Sequence, residues 1–327
     1  MNIIKIAARV IISVGLLIYL ISIADPQKIV HVFGNIWNNG GIFYIFVSII
    51  FYLFALYFFA LRWQVLVKGY GLNIATRDLF KFYLVGLFFN NFLPTAIGGD
   101  VMRIYNFIKK SGERTLGFAS VMTERLFGIA GTLLLTLGSL IFMMEELYTP
   151  GIFLISLTLL MSIILFFLLI FNDRFILFLT KIVEPVKIFR LGERILKFLD
   201  ALRFFRNKKG VFIKILVYSV FAQSLVILMT YFLARALNLN VSIPYIFLVV
   251  PITFMLTMLP SINGIGFREG GYVVLLSKIG ISKAAAISLS FLAILIPMIV
   301  SVWGGMLFLL QKNLRGKEVL DGAQKNF

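Results

Sequence analysis

Apolar runs close to 20 residues long recur along the whole chain, and this constrains the fold more than any other feature. About 20 apolar residues are what an α-helix needs to cross the hydrocarbon core of a bilayer. The runs lie at residues 7–23, 42–61, 79–93, 117–143, 151–171, 211–234, 243–258 and 284–310, with a shorter one at 272–276. Composition agrees, since 61% of the residues are hydrophobic and 14% charged, against an apolar share of about 45–50% in soluble domains. Backbone polar groups in lipid must be bonded within the protein, so the expected class is all-α, a polytopic helical membrane protein forming one membrane domain.

The formal charge of +17 would suit nucleic acid in a soluble protein. In a membrane protein it reads as the Lys/Arg excess of cytoplasmic loops, and secondarily as attraction to anionic lipid; no nucleic-acid partner is expected. The chain has no cysteine, which excludes disulfides, thiolate metal sites and cysteine nucleophiles. His31 is the only histidine and reads as a residue of a short polar loop, so neither metal nor cofactor is expected. Residues 7–23, preceded by Lys5 and followed by Ala24, resemble a signal peptide; the repeat described below needs the segment retained.

Basic residues orient the runs. Arg62, Lys68 and Arg77 fall in one connection and Arg103, Lys109, Lys110 and Arg114 in the next, and both read as cytoplasmic. Residues 79–93 thus have basic flanks on both sides, which fits a re-entrant hairpin. The run 117–143 leads out to Glu145 and Glu146, and 151–171 returns to a basic cytoplasmic connection, 172–210, whose residues 191–206 have the spacing of an amphipathic surface helix. The uncharged stretch 237–242 reads as external, 243–278 as a second hairpin entered from outside, and 284–310 returns to Lys312, Arg315 and Lys317. The expected topology is about six full spans plus two re-entrant hairpins, or eight spans, in the cell membrane with both termini cytoplasmic.

The hairpins share a motif. Leu93-Pro94-Thr95 with Gly98, Gly99, Asp100 and Arg103 lines up with Leu259-Pro260-Ser261 and Gly264, Gly266, Arg268 and Glu269. With hydropathy order and charge asymmetry, this indicates an inverted repeat of residues 1–143 and 151–310, as in many transporters, where paired Gly/Pro-interrupted segments mark the binding site. Proline ends a helix ladder, and glycine leaves N–H groups free at the start of the next half-helix, where anions bind. Arg103 and Arg268 offer guanidinium groups suited to phosphate, each beside a carboxylate, Asp100 or Glu269. Intramembrane charges cost about 2.5–3.5 kcal/mol each even on the mild insertion scale, so they must pair, face water or meet a ligand. Asn90 and Asn91 are candidate donors ahead of the first proline, while Tyr105 and Asn106 give weaker signals. Glu124-Arg125, at the start of 117–143, reads equally as an interfacial anchor or as part of the site.

Asn90-Asn91-Phe92-Leu93-Pro94, Gly98-Gly99-Asp100 with Arg103, Glu124-Arg125, and Pro260-Ser261 through Gly264, Gly266 and Glu269 together resemble the flippase-like transmembrane domain of lysylphosphatidylglycerol synthase. Asn263 stands where that pattern would be more glycine-rich. The resemblance implies lipid translocation or envelope lipid metabolism. In two-part synthases a soluble domain lysinylates phosphatidylglycerol and the membrane domain flips the product; the 327 residues here leave no room for that transferase. The expected function is to bind and translocate a phospholipid or lipid-linked headgroup, with Arg103 and Arg268 on the phosphate and Asp100 and Glu269 on an ammonium or coupling cation. An intramembrane enzyme of phospholipid or polyprenyl-phosphate metabolism is one alternative; a membrane subunit for a separately encoded transferase is the other. No nucleotide-binding G-x-x-x-x-G-K-[ST] loop occurs, so transport would be ion-coupled or downhill.

Overall fold

The computed structural model describes residues 3–38, 40–92, 98–142, 150–183, 208–257, 259, 261 and 264–324. Among these residues every regular element is an α-helix. The first apolar run becomes α1 (Ile3–Ala24), but the chain then turns. Asp25 takes a φ of 65°, α2 (Pro26–Asn38) follows, and the axes bend by 75°. Proline at the first helical position and the Asp25 carboxylate, which accepts the Gln27 N–H at 3.1 Å, start the new helix. His31 is therefore an exposed helical residue and not the loop residue expected from its polar neighbours.

The remaining helices are α3 (Gly41–Gly69), α4 (Thr76–Phe92), α5 (Gly98–Ser111), α6 (Arg114–Phe142), α7 (Pro150–Phe171), α8 (Asp173–Val183), α9 (Lys209–Ala236), α10 (Ile243–Leu256), α11 (Phe267–Ser277) and α12 (Lys283–Gln324). Four of the described helices, α3, α6, α9 and the Lys283–Leu310 part of α12, are long and apolar enough to cross a membrane, or five if the bent α1–α2 pair is one span. α7 adds a 22-residue helix with no charged side chain. The chain is a multi-pass membrane protein. The amphipathic helix expected at 191–206 lies outside the described residues; the basic connection is described at its start, as α8, and again from residue 208.

Two pairs of short helices fold back on themselves, α4 against α5 and α10 against α11. Between them α3 runs along α9, while α4 also lies on α12 and α10 on α6. α1 touches α12, and α7 touches α6. Lipid offers no hydrophobic drive for helix association, so close approach through small residues takes its place. A Cβ at Gly304 of α12 would collide with the Leu84 carbonyl of α4, one at Gly305 would lie 2.7 Å from the Phe88 ring, and one at Gly131 of α6 would lie 3.0 Å from Ser219 of α9. The outward faces carry large apolar side chains, including Phe43, Phe46, Phe54, Trp303 and Leu309, which suits contact with acyl chains.

Gly304→Ala places a methyl group against the α4 backbone and is expected to destabilise the protein by about 1–3 kcal/mol, the usual cost of overpacking. Gly138→Ala on α6, where a Cβ meets nothing within 4 Å, is expected to be neutral or slightly stabilising. Thermal unfolding of the two variants in detergent measures the contrast.

Candidate functional site

Five charged side chains from three helices meet at one place. α3 supplies Arg62, α5 supplies Asp100 and Arg103, and α6 supplies Glu124 and Arg125. The first four are buried, and Glu124 is only 1% exposed. Glu124 lies ten residues into α6, about 15 Å along its axis, and holds two helices at once. Its Oε1 accepts from Arg62 Nη2 at 2.6 Å, and its Oε2 accepts from Arg103 Nη2. Arg62 Nη1 also donates to Ser219 Oγ of α9 at 3.0 Å. Arg103 Nη1 stands 3.4 Å from Asp100 Oδ1, three residues back on the same face of α5, and Asp100 Oδ2 pairs with Nε of the half-exposed Arg125. Asp100 sits in the first turn of α5, where the helix dipole favours a negative charge.

Aromatic rings complete the setting. The Arg103 guanidinium lies 3.8 Å from the Tyr83 ring centroid and 4.4 Å from that of Trp63, and Arg62 lies 5.0 Å from that of Phe59. Such contacts contribute about 0.5–2 kcal/mol each, the larger values where water is excluded. Trp63 Nε1 donates to Ser120 Oγ at 3.1 Å, which fixes the ring. Gly86 leaves room for Arg103, since a Cβ there would lie 2.6 Å from Arg103 Cγ. Even so, among the described residues Arg62 Nε, Arg103 Nε and Asn106 Nδ2 are buried donors that make no hydrogen bond; nor does one acceptor of the cluster, Asp100 Oδ2, which faces Arg125 as an ion pair. Three guanidinium groups face two carboxylates, so the cluster has both positive charge and donors to spare.

A second charged group is built at the start of α11. Gly264 and Gly266 have φ of 78° and 91°, the left-handed region where glycine carries no steric cost, and both glycines are also in tight places. A Cβ would lie 2.6 Å from Thr257 at Gly264 and 2.5 Å from Leu16 at Gly266. Glu269, fully buried, reaches back to accept the Gly266 N–H at 2.6 Å, satisfying one of the orphan donors of the helix start. Its other oxygen accepts from Arg268 Nη2 at 3.0 Å and Nε at 3.3 Å, and from Ser290 Oγ of α12 at 3.4 Å.

The expected site residues divide accordingly. Asp100, Arg103, Glu124 and Arg125 come together, and Glu124 is a buried hub of that cluster. Arg268 and Glu269 pair with each other as their order predicts. Gly98 and Gly99 open α5, with Gly99 against Asn90. Asn91 turns elsewhere, its Nδ2 donating to the Pro297 carbonyl of α12 at 3.4 Å. Ser261 is buried, and its hydroxyl donates to the Leu259 carbonyl at 3.3 Å. Pro94 and Pro260, like Thr95 and Asn263, lie outside the described residues.

Arg62 is the residue that sequence reasoning misplaced. It follows the apolar run 42–61 and reads as a loop flank, but α3 continues two turns further and buries it. The missed signal is a seven-residue spacing of small or polar residues, Ser48, Ala55, Arg62 and Gly69, all on the buried face of α3.

A multi-pass helical bundle with an arginine-rich ion cluster inside is the class that fold and site define. Residues 6–305 match the family described as the lysylphosphatidylglycerol synthase TM region, and the chain belongs to that family. It is similar to a UPF0104 membrane protein of Pyrococcus horikoshii, 26% identical over 330 residues that cover 93% of this chain and 97% of the relative. It is also similar to a UPF0104 membrane protein of Methanocaldococcus jannaschii, 29% identical over 251 residues, 70% of this chain and 73% of the relative. No solved structure matches the chain.

Because Arg62 and Glu124 share one buried bond, their effects on stability should be far from additive. Arg62→Met is expected to cost about 3 kcal/mol or more with Glu124 present, and about 1–3 kcal/mol less in a Glu124→Gln background. A double-mutant cycle on unfolding in detergent checks this; additive losses would mean that the two side chains do not interact.

Proposed function

We propose that the protein is a flippase-like carrier that binds a phospholipid or lipid-linked headgroup by its phosphate and moves it between leaflets. The observation that carries the reading is the buried cluster around Arg62 and Arg103, where three guanidinium groups face two carboxylates and, among the described residues, three buried donors make no hydrogen bond against one such acceptor. Charged groups inside a membrane bundle are costly and default to substrate or ion pathways, and arginine is the residue whose forked donors match phosphate. Arg103, Arg62 and the N-terminus of α5 hold the phosphate. Glu269, with Arg268 and Ser290 beside it, lies where an ammonium group would bind.

The same reading takes residues 1–143 and 151–310 as two copies of opposite orientation, with both termini cytoplasmic in the cell membrane. Several features support the two-copy arrangement. α5 ends at Ser111 and α11 at Ser277, the same separation as Pro94 and Pro260. Arg103–Glu124 and Glu269–Ser290 are contacts at corresponding positions, each joining residues 21 apart. The packing is reciprocal as well: α4 lies on α12 and α10 on α6, α1 on α12 and α7 on α6, and the matching helices α3 and α9 lie on each other. Movement of one copy against the other would expose the site to each leaflet in turn.

The test is a reconstituted-vesicle assay of labelled phospholipid crossing between leaflets. Wild type is expected to accelerate crossing, Arg103→Ala to lower the rate at least about tenfold, as loss of a charge-assisted phosphate contact of about 1.5–3 kcal/mol implies, and Asp100→Asn to lower it less. Equal rates in all three, or in protein-free vesicles, remove the reading.

A further inference from the structure

Glu124 engages its two arginines as a phosphate group would. Its oxygens point one each at Arg62 of α3 and Arg103 of α5, and the two unesterified oxygens of a phosphodiester would present the same pair of acceptors to the same two donors. Among the described residues, the buried atoms of the cluster that make no hydrogen bond are three donors, Arg62 Nε, Arg103 Nε and Asn106 Nδ2, and one acceptor, Asp100 Oδ2, which the Arg125 guanidinium already faces. A phosphodiester, with its ester and neighbouring hydroxyl oxygens, has the additional acceptors that a carboxylate lacks. A phosphate and an ionised Glu124 would then compete for one place.

We infer that a phosphodiester headgroup takes Arg62 and Arg103 from Glu124, and that Glu124 gives them up by taking a proton from water, so that one anion and one proton enter together. The inference rests on the anion-binding reading of this cluster and names its coupling ion. The balance is simple: the phosphodiester brings one negative charge, the proton forms an O–H bond on Glu124, and the net charge of the buried cluster does not change. Without the proton, two anions would share two guanidinium groups in a site screened from water, where like charges repel strongly.

The surroundings of Glu124 favour this exchange over a simple swing to another partner. α3 offers it Arg62, and Tyr70 just beyond α3 faces Thr123 of α6 at 3.4 Å. α5 offers Arg103, while Asp100 is engaged by Arg103 and Arg125. From α4, Tyr83 covers Arg103. α9 faces the site with Ser219, and its Lys209, Lys214 and Arg235 are exposed. α7 has no titratable side chain, and in α10 Tyr245 donates to the Leu275 carbonyl. Glu124, once displaced by a ligand, has no other buried cation to turn to among these neighbours, whereas a protonated carboxyl needs none and can itself donate to the incoming phosphate oxygen.

The sign of the effect follows by linkage. Anion binding favours the protonated carboxyl, so affinity rises as pH falls. The probe is short-chain phosphatidylglycerol, whose phosphodiester keeps a single charge across the working pH range, titrated into purified full-length protein by calorimetry in two buffers of different ionisation enthalpy. Uptake of about one proton per probe is expected, with affinity tightening by about tenfold per unit of pH lowered. Glu124→Gln should bind independently of pH, at least as tightly as wild type at low pH, while Arg103→Ala loses binding. The wild-type proton count needs no variant and so does not depend on whether Glu124→Gln folds. Binding that Arg103→Ala abolishes but that takes up no proton overturns the coupling and leaves the anion site standing. No binding by wild type at any pH overturns both.

Discussion

One carboxylate holds the inner part of this bundle together. Glu124 joins α3 to α5 through Arg62 and Arg103 while anchored on α6, and Arg62 carries the connection on to α9 through Ser219. Helices in lipid gain little from burying apolar surface against one another, so a charge shared among four of them is a large part of what sets their register. Ion clusters of this kind are seldom the most stable filling for an interior. A bundle selected only for stability would do as well with packed aliphatic side chains, which is why the proposed function assigns the spare donors a ligand.

The broad fold was legible in the sequence because one requirement, satisfying backbone groups in lipid, dominates everything else. Runs at 117–143 and 211–234 became α6 and α9 with their ends shifted by a few residues. The α1–α2 bend was not legible from hydropathy, since it depends on Asp25 taking a left-handed conformation and Pro26 restarting the helix. For the site, Asp100 with Arg103 and Arg268 with Glu269 could be paired from spacing alone. Glu124 was visible as an intramembrane charge of undecided role, because its partner Arg62 is 62 residues away on another helix. Arg62 itself was hidden by an averaging effect. A hydropathy window ends a span at the first arginine, whereas a helix that can bury that arginine against a carboxylate continues.

The second charged group differs from the first in what satisfies it. Each contact joins residues 21 apart, but arginine on α5 meets glutamate on α6, whereas glutamate on α11 meets serine on α12. Glu269 is held within its own helix start by the Gly266 N–H and by its neighbour Arg268, which fixes the backbone turn that Gly264 and Gly266 make. The first cluster ties different helices together, and the second chiefly ties one hairpin to itself. Movement of the hairpins relative to the spans would therefore break bonds in the first cluster and leave most of the second intact.

On the proposed carrier reading, that asymmetry would make the two charged groups unlike as partners for a headgroup. Two identical sites facing opposite ways would bind the same group equally from both leaflets. Here the α5 cluster has cations in excess, while the α11 group is a balanced Arg268–Glu269 pair with a hydroxyl beside it. On the proposed reading a phosphate would be drawn to the first, whereas the second, already balanced by Arg268, would offer it no net attraction. On that reading an anionic headgroup would be held by the first alone. The difference in charge between the two groups is enough to make them chemically unlike.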